Sequence, residues 1–229
     1  VELVRWFPLE ARVEPGEGGS VFMSWKNEYA AESAILAWEP HRRLAISWSW
    51  DESDEQPPQV TEYRLEGDGR RTTVHVVTSG FPDDPSWDAF VEGTERGWRF
   101  ELRSLKEYLE RHAGDERDVV YLRRRTAVSA SEAWERMFGE SGLGERPFAG
   151  PPFDGAVFDD EPGRQHAAVL EGLDGALARI SVEPTPAGND TRDVTLWLQA
   201  WGEARDGLAG VESAWRSLLE TLFPEGETP

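Results

Sequence analysis

The stretch that decides the fold is SWDAFVEGTERGWRFELRSLKEYLERH, residues 86–112. Its mostly apolar positions recur at steps of three and four, the period of one stripe along an α-helix: Trp87, Val91, Thr94, Trp98, Leu102, Leu105 and Leu109. Pro85 follows Asp84 directly before it, and aspartate as a cap with proline at the first position is a typical helix start. The pattern predicts one long helix.

Upstream of this helix the chain alternates between apolar and polar residues with a period of two, which is typical of β-strands. Turn-forming glycine and proline separate the predicted strands, which cover residues 21–26, 33–38, 44–50, 60–65 and 72–78. One-sided alternation favours an antiparallel sheet with one packed face. Strands followed by one closing helix indicate an α+β fold, an antiparallel β-sheet wrapped on a long C-terminal helix.

The second half of the chain repeats this order. After a charged linker at residues 112–118, the pattern predicts a strand and then a helix that begins with the capping box Ser129-x-x-Glu132. Further strands and a last helix follow, at residues 165–171, 176–183, 192–201 and 208–223. The segment 103–109 also aligns with 216–222. We therefore predict two tandem domains, residues 1–114 and 118–229.

Composition excludes several classes of function. The 229 residues carry 24 Lys and Arg against 44 Asp and Glu, a formal net charge of −20. Such a chain repels phosphate backbones and anionic lipid headgroups, so we expect neither a nucleic-acid nor a membrane partner. There is no cysteine, which removes disulfides and thiolate ligands and fits the cytoplasm. The acidic runs 51–55 and 159–161 lack the ligand order of a calcium loop, and we interpret them as solvated turns, with no metal and no cofactor expected.

Particular residues connect the first half with a known family. They are Trp6-Phe7-Pro8 before Gly18-Gly19, Glu39-Pro40-x-x-Arg43-Leu44, Thr72 leading to Ser79-Gly80-Phe81, and Gly97-Trp98 followed by Leu102, Leu105, Tyr108 and Leu109. In this order the first half resembles the heat-shock-protein 90 ATPase activator-like branch of the START-like superfamily, also called SRPBCC or helix-grip proteins. The second half resembles the superfamily more faintly. The resemblance implies a curved antiparallel sheet that grips a C-terminal helix around a hydrophobic cavity.

The chain departs from the family's pattern at its start. Members normally begin with a strand and a helix before the Trp-Phe-Pro segment, whereas this sequence starts at that segment. Upstream residues or a second copy of the chain would have to supply the missing strand, because an open sheet edge invites aggregation. We favour upstream residues, and we expect a monomer or a homodimer.

The candidate ligand-binding residues are those expected to face the sheet–helix space of the first half: Trp25, Trp38, Trp48, Trp50, Tyr63, His75, Gly97 and Trp98. Any one of these tryptophans also suits an ordinary core. Gly93 and Gly97 lie inside the predicted helix, where each costs about 1 kcal/mol relative to alanine. This cost is explained either by close approach of the backbone to the sheet or by space left for a ligand. His75 is an acid–base candidate, although a structural role is the simpler interpretation.

The sequence predicts non-enzymatic binding of an apolar or aromatic small molecule, because it offers aromatic side chains but no nucleophile motif or cofactor fingerprint. We expect the first half to bind, since the second half has fewer strands and a shorter closing helix. One alternative is a cyclase- or hydrolase-type enzyme using Glu62, Tyr63, Arg64 or His75. Another is a protein-interaction module of the co-chaperone kind, which an exposed apolar patch would favour.

Overall fold

The computed structural model describes residues 2–25, 29–48, 59–140, 142–144, 154–185 and 188–228. The chain divides into two compact units, Val1–Leu102 and Arg103–Pro229. Each unit holds its own antiparallel sheet, so the α+β class is confirmed. The predicted domain limits, residues 1–114 and 118–229, remain a prediction.

The first unit is built on a meander in which every strand pairs with the next along the chain. In the described part of this unit, a short 3-10 turn, Glu2–Arg5, precedes six strands: β1 (Glu10–Glu14), β2 (Ser20–Ser24), β3 (Ala30–Glu39), β4 (Arg43–Trp48), β5 (Gln59–Gly67) and β6 (Thr72–Ser79). The predicted strands are therefore present, and β1 is an addition that the alternation did not indicate. A register shift between Ile35 and Ala37 marks a bulge in β3, which bends a strand and increases its twist.

The long helix is present at the expected place. A 3-10 turn at Pro85–Trp87 leads into α1 (Asp88–Arg111). The Asp84 carboxylate accepts a hydrogen bond from the backbone N–H of Ser86 at 2.8 Å, so this residue caps the helix start as predicted. Residues of α1 up to Leu102 belong to the first unit, and those from Arg103 onward belong to the second.

The apolar stripe is not the most buried side of α1, which corrects the sequence interpretation. Val91 is 38% exposed and Leu109 57% exposed. The buried residues follow another row of the helix, and most of them are polar: Arg96, Phe100, Glu101, Ser104, Glu107 and Tyr108. Charged groups tolerate burial when they are paired, and Arg103 meets Glu107 at 2.6 Å.

In its described residues, the second unit contains five strands and two α-helices besides its part of α1. In chain order they are β7 (Arg117–Thr126), α2 (Ala130–Phe138), β8 (Gly155–Glu161), β9 (Gln165–Leu170), β10 (Ala176–Thr185), β11 (Gly188–Trp201) and α3 (Val211–Leu222). The sheet order is β7-β11-β10-β9-β8. Ser129 caps α2 by accepting from the N–H of Glu132 at 3.2 Å, as the capping box predicts. Strand β8 includes residues 159–161, which were predicted to form a turn.

One face of this second sheet forms an apolar core with α2 and α3. The core contains Leu122, Ile180, Leu196 and Leu198 of the strands, Met137 of α2, and Trp215, Leu219 and Leu222 of α3. Several of these side chains have no exposed surface. None of the described helices is both long and apolar enough to cross a membrane.

Candidate functional site

The apolar face of the first sheet carries a continuous series of ring contacts, here called the aromatic cluster. Its members are Trp6, Phe7, Trp25, Tyr29, Trp48, Tyr63 and Trp98. Ring centroids lie 5.1 Å apart for Trp6–Phe7, 5.3 Å for Phe7–Trp98 and 5.5 Å for Tyr63–Trp98. At these distances, aromatic rings attract one another in addition to the free energy gained by burying their surface. The cluster joins strands β4 and β5 to α1 through Trp98.

Strand register explains why these side chains share a face. Leu44 pairs with Tyr63 and Trp48 pairs with Gln59, in antiparallel β4 and β5. Directly opposed residues point to the same side of a sheet, and every second residue along a strand returns to that side. Tyr63 therefore lies on the face of Trp48, as the alternation predicts.

Among the predicted site tryptophans that the structure describes, Trp48 is the most deeply buried, with 7% of its surface exposed. Its indole N–H donates to the hydroxyl of Thr61 at 3.0 Å, and the hydroxyls of Thr61 and Thr78 lie 3.1 Å apart. A buried indole whose only polar atom is bonded inside the protein is a structural residue first. Trp48 therefore lies at the buried end of the aromatic cluster.

The other predicted residues differ in exposure. Trp25, Tyr63 and Trp98 are half-buried, and each contacts another ring of the aromatic cluster. Trp38 is 36% exposed and pairs with Leu44 at the end of the same face. Trp50 lies outside the described residues. The described part of the apolar face therefore runs from buried Trp48 to accessible Trp38.

Gly97 borders open space. Among the described residues, and apart from the backbone of its own helix and its chain neighbours, a methyl group built on Gly97 would meet no atom within 4 Å. One built on Gly93 would meet only the guanidinium of Arg96, at 3.7 Å. Close approach of the backbone to the sheet therefore does not explain Gly97. Space beside the helix, the second explanation offered by the sequence, matches the geometry.

His75 lies away from the aromatic cluster. It pairs with Arg64 of β5, on the face opposite to Tyr63, and half of its side chain is exposed. Its Nε2 is 3.7 Å from the Glu66 carboxylate. His75 therefore lies on the face of the sheet that is turned away from the rings of the aromatic cluster.

The carboxylate of Glu62 also belongs to this outer face. It accepts from Arg43 Nε at 2.6 Å and meets Arg64 at 2.5 Å. The hydrogen bond from Arg43 is the largest cause that lowers the pKa of Glu62 below its ordinary value. Glu62 is thus an ionised partner of two arginines, and it forms no couple with His75.

Two tyrosines of the aromatic cluster have shifted pKa values. Burial raises the pKa of Tyr29 to about 12. Burial, and then the negative charge of Glu101, raises the pKa of Tyr63 well above its ordinary value of 10.0. Both phenols therefore stay protonated at neutral pH and can donate a hydrogen bond.

Sequence reasoning missed Trp6, Phe7, Tyr29 and Glu101 as site residues. Phe7 reaches the cluster because its N–H bonds to the carbonyl of Leu3 at 2.9 Å, which closes the turn before β1. The Trp-Phe-Pro segment was visible as a family feature, but nothing in its pattern placed it on the sheet. Glu101 lies outside the apolar stripe, so periodicity gave no signal for it.

Two histidines of the second unit lie near carboxylates: His112 Nδ1 is 3.8 Å from Asp115, and His166 is closer to its partner. His166 Nδ1 lies 3.0 Å from an oxygen of Asp160, and the His166 ring contacts Phe138 edge-on at 5.6 Å. Beside it, Gln165 donates to Asp159 at 2.7 Å. The pairs of His166 and Gln165 link β8 to β9. In the part of the chain that the structure describes, no group of three or more metal-ligating side chains is arranged around a common point.

Comparison with known proteins gives one family match. Residues 1–110 match the family model described as "Activator of Hsp90 ATPase homolog 1-like protein". The match supports the START-like superfamily for the first half of the chain. A second, divergent copy in the other half stays a prediction. No curated protein matches the chain.

Several solved structures are similar to this chain over part or most of its length. Protein MLL2253 from Mesorhizobium loti is 21% identical, with a TM-score of 0.42, over 47% of this chain and 79% of that one. DynU16, from the dynemicin biosynthetic locus, is 17% identical, with a TM-score of 0.41, over 96% and 88% of the two chains. The di-domain ARO/CYC StfQ, from the steffimycin biosynthetic pathway, is 15% identical, with a TM-score of 0.35, over 96% and 89%. Likenesses of this size carry no inference about the function of this chain.

Proposed function

We propose that the first unit is a helix-grip module, with its sheet wrapped on α1, and that it binds an apolar or aromatic small molecule without catalysing a reaction. The aromatic cluster is the observation that carries this proposal. Half-buried aromatic side chains on a sheet face, next to a helix that leaves space at Gly97, offer shape and stacking to a flat ligand. The ligand lies against Trp98 and Tyr63, with Trp38 at the accessible end.

Binding belongs to the first unit in this proposal. In the second unit, the apolar face of the sheet is occupied by side chains of α2 and α3, and Leu196, Leu198 and Met137 have no exposed surface. Close-packed interiors leave few voids larger than a water molecule. The second unit therefore serves as a structural partner domain.

The alternative functions receive less support from the described residues. The enzyme hypothesis placed its chemistry on Glu62, Tyr63, Arg64 or His75. Glu62, Arg64 and His75 lie on the outer face, where Glu62 pairs with Arg64 and His75 lies 3.7 Å from Glu66. Of these four residues, Tyr63 alone lies on the face of the aromatic cluster. The co-chaperone hypothesis has the name of the matching family in its favour. The most exposed large apolar side chains of the first sheet are Val77 at 54% and Leu36 at 47%, and they lie on strands β6 and β3.

Filling the space at Gly97 tests the proposal. Leucine in Gly97→Leu should occupy the position of the ligand and reduce binding of an aromatic probe such as 2-isopropylnaphthalene at least 10-fold, as measured by quenching of tryptophan fluorescence. Gly97→Ala is the matched control. Both substitutions raise helix propensity by up to about 1 kcal/mol, but alanine adds one carbon and leaves most of the space open. Equal binding by the leucine variant and the wild type would contradict the proposal.

Native mass spectrometry of the protein purified from its own host addresses the ligand directly. A bound molecule that adds a constant mass to the wild type and is absent from Gly97→Leu would support the proposed site. A bound mass that persists in Gly97→Leu would place the ligand elsewhere.

A further inference from the structure

The start of α1 carries an apolar surface that is separate from the aromatic cluster. The ring of Phe90 contacts those of Phe81 and Trp87, with the centroids 6.0 Å and 5.5 Å apart. Phe90 and Val91 are each 38% exposed, whereas Phe81 and Trp87 are half-buried. Trp87 and Val91 are four residues apart and therefore lie on neighbouring turns of the helix. These four residues are here called the Phe90 surface.

Three carboxylates accompany the Phe90 surface in the same short segment. Asp83, Asp84 and Asp88 are all exposed. Residues 76–95 contain no lysine, arginine or histidine. Within the part of the chain that the structure describes, no ion pair joins any of the three aspartates to a basic side chain. Their negative charge is therefore available to a binding partner.

The next carboxylates along α1 differ from these three because they are paired. Glu92 lies 3.8 Å from Arg96, and Glu95 lies 3.4 Å from Arg99. The positive end of the helix dipole favours the three aspartates at the helix start. That dipole end is equivalent to roughly half an elementary charge, so it does not neutralise three carboxylates. The excess negative charge therefore lies at the first turn of α1, beside the Phe90 surface.

An apolar surface beside negative charge complements a partner that is both apolar and basic. Arginine suits this surface best, because its guanidinium forms paired hydrogen bonds to a carboxylate and also stacks on aromatic rings. Phosphate groups and anionic lipids would be repelled. A second copy of the chain is disfavoured, because a two-fold interface would bring the same aspartates against each other. The complementary partner is therefore a segment of another protein.

We propose that the Phe90 surface and its three aspartates bind an arginine-containing apolar segment of a partner protein. Apolar side chains of the segment pack on Phe90 and Val91, and its arginines pair with Asp83 and Asp88. This surface lies outside the proposed ligand site, and the inference does not depend on ligand binding.

Three fluorescein-labelled peptides of twelve residues test the inference. The first carries three arginines and three leucines separated by serine and glycine. The second has glutamate in place of arginine, and the third has serine in place of leucine. The wild type should bind the first peptide at least 10-fold more tightly than either of the others, as measured by fluorescence anisotropy. Raising NaCl from 50 to 500 mM should weaken this binding, because salt screens exposed charges.

Two variants separate the apolar and charged parts of the surface. Phe90→Ser removes the central ring and should weaken binding of the first peptide at least 10-fold. The double variant Asp83→Asn with Asp88→Asn should weaken it about 3- to 10-fold, the range expected for losing two exposed ion pairs. The matched control is Glu10→Gln with Glu14→Gln, which removes the same charge from exposed positions of β1. This control should bind within 2-fold of the wild type.

The remaining outcomes would overturn the proposal. Failure of the wild type to bind the first peptide would do so directly. Equal weakening by the aspartate and glutamate variants would show unspecific attraction to an acidic protein. A wild type that is dimeric in analytical ultracentrifugation, and monomeric as Phe90→Ser, would show that a second copy occupies the surface. Circular dichroism verifies each fold, and Val91→Ser replaces Phe90→Ser if that variant loses its native spectrum.

Discussion

Single residues of the first unit show how one amino-acid type serves different purposes. Trp48 is buried and hydrogen-bonded to Thr61, Trp98 is half-buried between Phe7 and Tyr63, and Trp38 is partly exposed. Sequence reasoning put all three in one candidate site, because alternation predicts which face of a strand a side chain lies on but not how deeply that side chain is buried. Depth depends on what packs above the strand, which is a property of the folded chain.

The hydrogen bond between Trp48 and Thr61 gives a prediction for stability. Thr61→Val keeps the shape of the side chain but leaves the buried indole N–H without its acceptor. We expect the free energy of unfolding to fall by about 1–3 kcal/mol, as measured by urea denaturation. The effect should be clearly smaller in a Trp48→Phe background, where there is no N–H to satisfy. An equal loss in both backgrounds would show that the bond to Trp48 is not the cause.

At the scale of secondary structure, local signals were reliable for starts and types of elements. Asp84 and Ser129 both cap helices as their sequence positions predict. The buried side of α1 was predicted wrongly. Arg96, Glu101 and Glu107 are buried, although charged side chains normally mark the solvent side. Ion pairing explains the burial of Glu107, whose carboxylate meets Arg103 and Arg111. The strength of such ion pairs depends on the residues that the tertiary structure packs around them.

The cap of α2 can be tested in isolation. Ser129→Ala removes the acceptor for the Glu132 N–H, and we expect the free energy of unfolding to fall by about 1 kcal/mol. Ser129→Asn should restore most of the loss, since asparagine is an equally good cap. Urea denaturation followed by circular dichroism measures both variants. Equal destabilisation by alanine and asparagine would contradict a capping role.

At the scale of the whole molecule, the chain consists of two units, each with its own sheet and its own buried apolar residues. Ile35, Ile46 and Trp48 belong to the core of the first, whereas Leu196 and Leu198 belong to the core of the second. Separate cores predict that a cavity in one unit leaves the binding surface of the other in place.

Leu198→Ala tests this separation. Leu198 has no exposed surface, and replacing a fully buried leucine by alanine typically costs about 2–5 kcal/mol. We expect lower stability, seen as a lower midpoint of urea denaturation, with unchanged affinity for 2-isopropylnaphthalene in the absence of urea. Loss of probe binding by a variant that keeps its native circular dichroism would contradict the assignment of the ligand to the first unit.

The sequence by itself determined the α+β class, the positions of most strands and helices, the helix caps and the face of the sheet on which Trp48 and Tyr63 lie. These features follow from periodicity and capping, which act between residues close in the chain. Only the tertiary structure brought Phe7, Tyr29 and Glu101 to the candidate site, put His75 on the opposite face and left open space at Gly97. Contacts between residues distant in the chain depend on how whole elements pack, and no local pattern encodes that packing.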